Sequence, residues 1–170
     1  DVSDFLESLC SSKHVEDSIA ALELAAKWRI RELYQTAIRL ARSSQADPQL
    51  RSAAMRAMGA LGNKETIPLL KVMAGKSANP KPSAIIGLLE VDQAEAAKSA
   101  ADILQGTIQN EAIGKILGAF AGREGGGPLL AMELAKRKID RTQGKRLQDV
   151  WIGTGFVQEA ITEALEAIAG

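Results

Sequence analysis

Two segments of this chain carry the same punctuation sixty residues apart. In LGNKETIPLL, Leu61 to Leu70, and AGREGGGPLL, Ala121 to Leu130, Gly62 aligns with Gly122, Pro68 with Pro128, and Leu69 and Leu70 with Leu129 and Leu130. A glycine and a Pro-Leu-Leu recurring at fixed offset mark an array in which one supersecondary unit is written several times. This constrains the fold strongly, because such a unit cannot bury its apolar face alone and must stack on its own copies.

Apolar residues spaced i, i+3, i+4 and i+7 trace the buried stripe of a helix. Ala21, Leu24, Ala25 and Trp28 form one, and Ala54, Ala57, Met58 and Leu61 repeat it 33 residues later. Ile85, Ile86 and Leu89 continue the series, followed by Ile113, Ile116, Leu117 and Phe120, then by a weaker copy in Leu147, Val150 and Trp151. On this reading Trp28 is a core residue. The spacing of about 28 to 34 residues is that of a two-helix unit.

Between the stripes stand helix stops and starts. Gly62 is expected to take the left-handed conformation that closes one helix, with Asn63 capping the next and Pro68 in its first turn. Asp47 before Pro48 and Asn79 before Pro80 read as N-caps followed by Pro at the first helical position. Asp92 with Glu95 is a capping-box pattern, and Thr107 and Thr142 are weaker candidates. The resulting layout has a short lead helix near 4–11 and first helices near 15–27, 48–61, 81–90, 108–121 and 142–152. Their partners fall near 30–43, 64–75, 93–105, 127–138 and 156–168, with no linker long enough to divide residues 1–170 into two domains.

Composition agrees with an all-α class. Aromatics are only 4% of the chain, whereas helix-forming Ala and Leu abound. Apolar runs such as Ala84 to Leu89 are far below the roughly 18 residues of a membrane span, so no membrane insertion is expected. The absence of an initiator Met before Asp1 reads as a piece of something longer.

PQLRSAAMRAMGALGNKETIPLLKVMA, Pro48 to Ala74, resembles a HEAT-like repeat of the short kind found in phycobilisome lyases. It has Pro followed by Arg51, Ala54 and Ala57, a Gly-x-Leu-Gly turn, and Ile-Pro-Leu-Leu opening the second helix. The resemblance implies a right-handed α-solenoid of about five antiparallel helix pairs behind the lead helix, whose second helices line a concave partner-binding surface. It implies no catalytic residues. GLLEVDQAEAAKSAADIL and ILGAFAGREGGGPLLAMEL also resemble the helical array of large multidomain bacterial proteins, where it lies between a sugar-dehydrogenase-like propeller and a c-type haem domain. This chain has no Cys-x-x-Cys-His and would be the spacer of such a protein. The expected compartment is cytoplasmic by default, and exported or periplasmic under that second resemblance.

Candidate chemistry is sparse, and neither a cofactor nor a metal site is expected. Cys10 and His14, the only residues of their kinds, stand four apart, but Ser11 and Ser12 break the helix between them. The glycines at 125–127 lack the Gly-Lys-Ser/Thr of a phosphate loop and read as a loosened loop or a shortened following helix, giving an irregularity near 123–128. Gly114, Gly118 and Gly122 make a smooth ridge suited to close approach of a neighbouring helix.

Charge is distributed unevenly. Net charge is zero, yet residues 27–81 hold eleven Lys or Arg against three acidic residues, and 136–146 hold six against one. Arg29, Arg31, Arg39, Arg42, Arg51, Arg56, Lys71 and Lys76 form a candidate binding surface if the fold gathers them. The expected function is a non-catalytic protein-interaction scaffold, or a spacer between flanking domains of one chain. The alternatives are nucleic-acid binding through the basic region, with Trp28 and Tyr34 stacking on bases, and a lyase-like enzyme for which Cys10 is a poor nucleophile.

Overall fold

In the computed structural model, which describes residues 1–75 and 82–170, the chain is all-helical. Eleven α-helices appear among the described residues: α1 Val2–Cys10, α2 Val15–Trp28, α3 Tyr34–Arg42, α4 Pro48–Leu61, α5 Thr66–Gly75, α6 Pro82–Val91, α7 Gln93–Leu104, α8 Asn110–Ala121, α9 Gly126–Ala135, α10 Arg141–Thr154 and α11 Glu159–Ala169. A short 3-10 turn, Arg31–Leu33, leads into α3. Asn79, Pro80 and Lys76 lie outside the described residues.

The helices pack in two rows. One runs α2, α4, α6, α8, α10, each touching the next, and the other runs α5, α7, α9, α11. Between them lies the core, where the predicted stripes Ala54, Ala57, Met58, Leu61 and Ile113, Ile116, Leu117, Phe120 are fully covered. Alanine-rich faces let the rows approach closely: Ala96, Ala97, Ala100 and Ala101 are all buried on α7.

Trp28 is a correction. It is 57% exposed, and the buried face of α2 passes instead through Ser18, Ala21, Leu22 and Ala25. Helical periodicity fixes the angle of a side chain about its axis but not whether a neighbour reaches far enough along that axis to cover it. The helix stops at Trp28 because Arg29 turns left-handed, φ 56°.

The caps divide similarly. Asp47 accepts a hydrogen bond from the Gln49 amide at 2.8 Å, and Asp92 from the Glu95 amide at 3.1 Å. The Glu95 carboxylate bonds Lys71 and Lys98 rather than closing a capping box. Thr107 and Thr142 do not cap: α8 starts after Gln109, and α10 after Asp140, which accepts from the Gln143 amide. Gly62 is not left-handed but extended, with ψ −180°. Its glycine is needed for space, since a Cβ there would lie 1.9 Å from Thr66 Oγ1. That buried hydroxyl is shared with Tyr34 Oη at 2.6 Å.

The glycine run is neither a loosened loop nor a shortened helix. α5 and α9 each have 10 residues and begin sixty positions apart, at Thr66 and Gly126. Only Gly125 takes positive φ, 75°. Gly126 and Gly127 are buried in the first turn of α9, where a Cβ on Gly127 would stand 2.2 Å from the Gln158 side chain. Gln158 is the N-cap of α11, so the glycine leaves room for the cap of a later helix.

The glycine ridge of α8 also behaves differently from expectation. Gly118 is overlain by the Phe156 ring, which would lie 2.7 Å from a β-carbon there, whereas one on Gly114 would meet Val150 and Thr154 at ordinary distance and one on Gly122 only its own helix. Tight helix-to-helix approaches lie elsewhere, between Gly59 of α4 and Gly87 of α6 and between Gly144 of α10 and Ile168 of α11.

Candidate interaction surface

The exposed side of the α2, α4, α6, α8 row carries a recess of about 860 Å³. Ile19 and Glu23 come from α2, Arg56 from α4, Ser83 and Ile86 from α6, and Lys115 and Ala119 from α8. They arrive at one surface because Ile19, Ile86 and Ala119 lie half-buried on the flank of the buried stripes, while Glu23, Arg56 and Lys115 are exposed beside them. Ile86 is the half-buried neighbour of fully buried Ile85, and Ala119 stands beside buried Phe120. A second recess of about 280 Å³ shares Ile86 and Ala119 and continues to Gly118, Gly122 and Arg123. The resemblance to HEAT-like repeats implied a partner surface on the second helices, whereas this recess is lined by first helices.

The predicted basic residues are distributed over several elements. Arg29 follows α2, Arg31 begins the 3-10 turn, Arg39 and Arg42 lie on α3, Arg51 and Arg56 on α4, and Lys71 on α5. Among these, only Arg56 lines the larger recess. Arg29 donates to the Ala60 carbonyl at 2.6 Å and stands 3.8 Å from Glu90, whose other oxygen meets Arg123 at 2.5 Å. This chain of charges ties the C-terminal ends of α2, α4, α6 and α8 together. Arg39 faces Glu7 at 4.0 Å, and Lys71 bonds Glu95 at 2.8 Å. The hydrogen bond with Glu95 raises the pKa of Lys71, and those from Lys71 and Lys98 depress that of Glu95. Arg51 is half-buried with its Nε enclosed and without a hydrogen-bond partner among the described residues. Trp28 and Tyr34 do not form one exposed aromatic platform, because Tyr34 bonds Thr66 in the interior while Trp28 is exposed.

The second basic cluster, 136–146, is largely engaged by neighbouring backbone and carboxylates. Arg137 bonds Asp102 at 3.0 Å and the nearly buried Glu133 at 2.6 Å, and also donates to the Lys98 carbonyl. Hydrogen bonds from Lys136 and Arg137 hold the Glu133 carboxyl below its ordinary pKa. Arg141 donates to the carbonyls of Ala169 and Gly170, and Arg146 to Asn110 and the Ile108 carbonyl. These guanidinium groups serve as interhelical ties, using the planar fork that suits Arg to the task.

Cys10 is buried at the end of α1, and His14 is the exposed residue before α2, so they do not share a helix face. The Ser18 hydroxyl donates to the carbonyls of Leu9 and Cys10, closing the end of α1. Burial, reinforced by nearby Glu7, pushes the Cys10 thiol up to about 11, which leaves it protonated and weakly nucleophilic near neutrality. Among the described residues no three His, Cys, Asp or Glu side chains gather as a metal site, and no helix is long and apolar enough to cross a membrane.

Sequence reasoning missed Phe156 and Lys115. The apolar tip Phe156 and Val157, the latter 96% exposed, lies in the turn between α10 and α11 outside any helical stripe. Lys115 falls outside the two basic-rich segments, so charge counting along the chain passes over it. Compared with protein-family models, curated proteins and solved structures, the chain matches none.

Proposed function

We propose that this chain is a HEAT-like α-solenoid, right-handed, with five antiparallel helix pairs behind its lead helix. It acts as a non-catalytic protein-interaction scaffold or as a spacer within a larger polypeptide. The observation that carries this reading is the recess crossing four successive helices of one row. A surface assembled from successive repeats presents area and charge pattern rather than a reactive constellation, as in other repeat arrays. The protonated Cys10 and the engaged Arg137, Arg141 and Arg146 fit a structural use of the chain's polar groups.

Two measurements test it. Small-angle scattering should give a radius of gyration above the roughly 15 Å of a compact globule of this length; a value at or below that ends the solenoid reading. Random peptides displayed against the immobilised full chain should yield enriched binders, and a selection that enriches none counts against the scaffold.

Nucleic-acid binding is the second reading, favoured by one observation: Trp28 is exposed and flanked by Lys27, Arg29 and Arg31. Against it stand the ion pairs of Arg29, Arg39 and Lys71 with protein carboxylates. Retention on duplex DNA that falls steeply with salt and is lost in Trp28→Ala would favour this reading over the scaffold.

A further inference from the structure

We propose that the recess over α2, α4, α6 and α8 is a docking groove for an acidic amphipathic peptide segment, whose apolar side chains rest on Ile86 and Ala119 and whose carboxylates meet Arg56 and Lys115. This rests on the scaffold reading and names the class of partner.

The floor suits apolar side chains. Ile19, Ile86 and Ala119 supply carbon surface, and the small Ser83 and Ala119 keep the centre low between larger neighbours. Through Ile86 and Ala119 the floor continues into the second recess, and from Gly118 to the half-exposed Phe156 ring. A peptide following this track finds alternating carbon and polar contacts over four helices.

Charge complementarity selects the partner. Arg56 has no ion pair among the described residues. Among the described residues Lys115 has only Glu111 of its own helix, 3.1 Å away and with both side chains more than half exposed. Such an i,i+4 surface pair is weak and is readily replaced by an incoming carboxylate. In the second recess, Arg123 is already engaged by Glu90, which it shares with Arg29. Among the described residues Glu23 is the one carboxylate that lines the larger recess, and it lies at its α2 end. It repels acidic residues there, so the partner's carboxylates fall on the α4 to α8 stretch.

The peptide-display selection on the full chain tests this directly. Enriched sequences should combine Asp or Glu with Leu, Ile or Phe. A synthetic peptide of such a sequence should bind on the order of tenfold or more weakly to the Arg56→Glu, Lys115→Glu double variant. Lys64→Glu, a charge change on the α4–α5 turn, should leave binding intact, and circular dichroism should be the same for all three proteins. Enriched peptides that bind the double variant equally well overturn the groove while leaving the scaffold reading standing. Basic enriched peptides overturn the charge assignment, and no enrichment sinks both readings. Salt-sensitive duplex DNA binding lost in the double variant would assign the recess to nucleic acid and also overturn the proposal.

Discussion

Gly59 of α4 and Gly87 of α6 meet so closely that a β-carbon on Gly59 would lie 2.1 Å from the Gly87 carbonyl oxygen. The two backbones cross with no side chain between them. Gly59→Ala should therefore destabilise the fold by about 1–3 kcal/mol, despite the better helix propensity of Ala, because the obstacle is backbone and cannot rotate away. Gly153→Ala on α10, where nothing lies within 4 Å of the added carbon, should instead be neutral or stabilising by up to about 1 kcal/mol. Urea unfolding of the two variants checks both signs.

Acid sensitivity should trace in part to Glu133. Its folded pKa is depressed by Lys136 and Arg137, so its contribution is present above the unfolded carboxyl pKa of about 4.3 and is lost as pH falls through the lower folded value. Glu95, depressed by Lys71 and Lys98, acts in the same direction. Glu133→Gln should cost about 1–3 kcal/mol at pH 7 and reduce the fall in stability between neutral pH and pH 3. An unchanged pH profile in this variant would remove Glu133 from the account.

The thiol works at the other end of the scale. Cys10 has a folded pKa near 11, raised from the ordinary thiol value of 9.0, so its contribution is present below the unfolded value and lost as pH rises between the two. Stability should decline across that alkaline interval, and Cys10→Ala should show a shallower decline. In the native protein at pH 7, alkylation of Cys10 should be slow and should accelerate with urea in step with unfolding.

Gly127 and Gln158 should behave as a coupled pair. Gln158→Ala removes the cap that accepts the Ile161 amide at 2.8 Å and should cost about 1 kcal/mol. Gly127→Ala in the native background pushes against the Gln158 amide and should be destabilising. In the Gln158→Ala background the same change should become neutral or favourable, a non-additivity measurable by a double-mutant cycle.

Much of the helical pattern was legible because its determinants are local. Asp47 with Pro48, Asp92 before Gln93, and the stripes of α4 and α8 each lie within a few neighbouring positions of the chain. What escaped depends on partners far along the chain. Glycine at 62, 118 and 127 announces freedom, but only Tyr34, Phe156 and Gln158 show that its use is space rather than positive φ. Trp28 obeys the helical period and is still exposed. The basic-rich segments appeared as potential binding stripes because Glu90, Glu95 and Asp102, which engage Arg29, Lys71 and Arg137, lie 24 to 61 positions away. The recess draws on residues from 19 to 119 and has no contiguous motif to betray it.

The seat that Gly127 leaves for Gln158 bears on how the molecule is made. During synthesis the first turn of α9 emerges well before Gln158, and until that residue arrives the buried glycine turn stands open to water. Helix α9 is therefore finished from downstream: its entry closes only when the cap of α11 docks. A nascent chain that has emerged only as far as the residue before Gln158 would have α4 and α6 already able to pack, but its α9 would begin beside an unfilled notch.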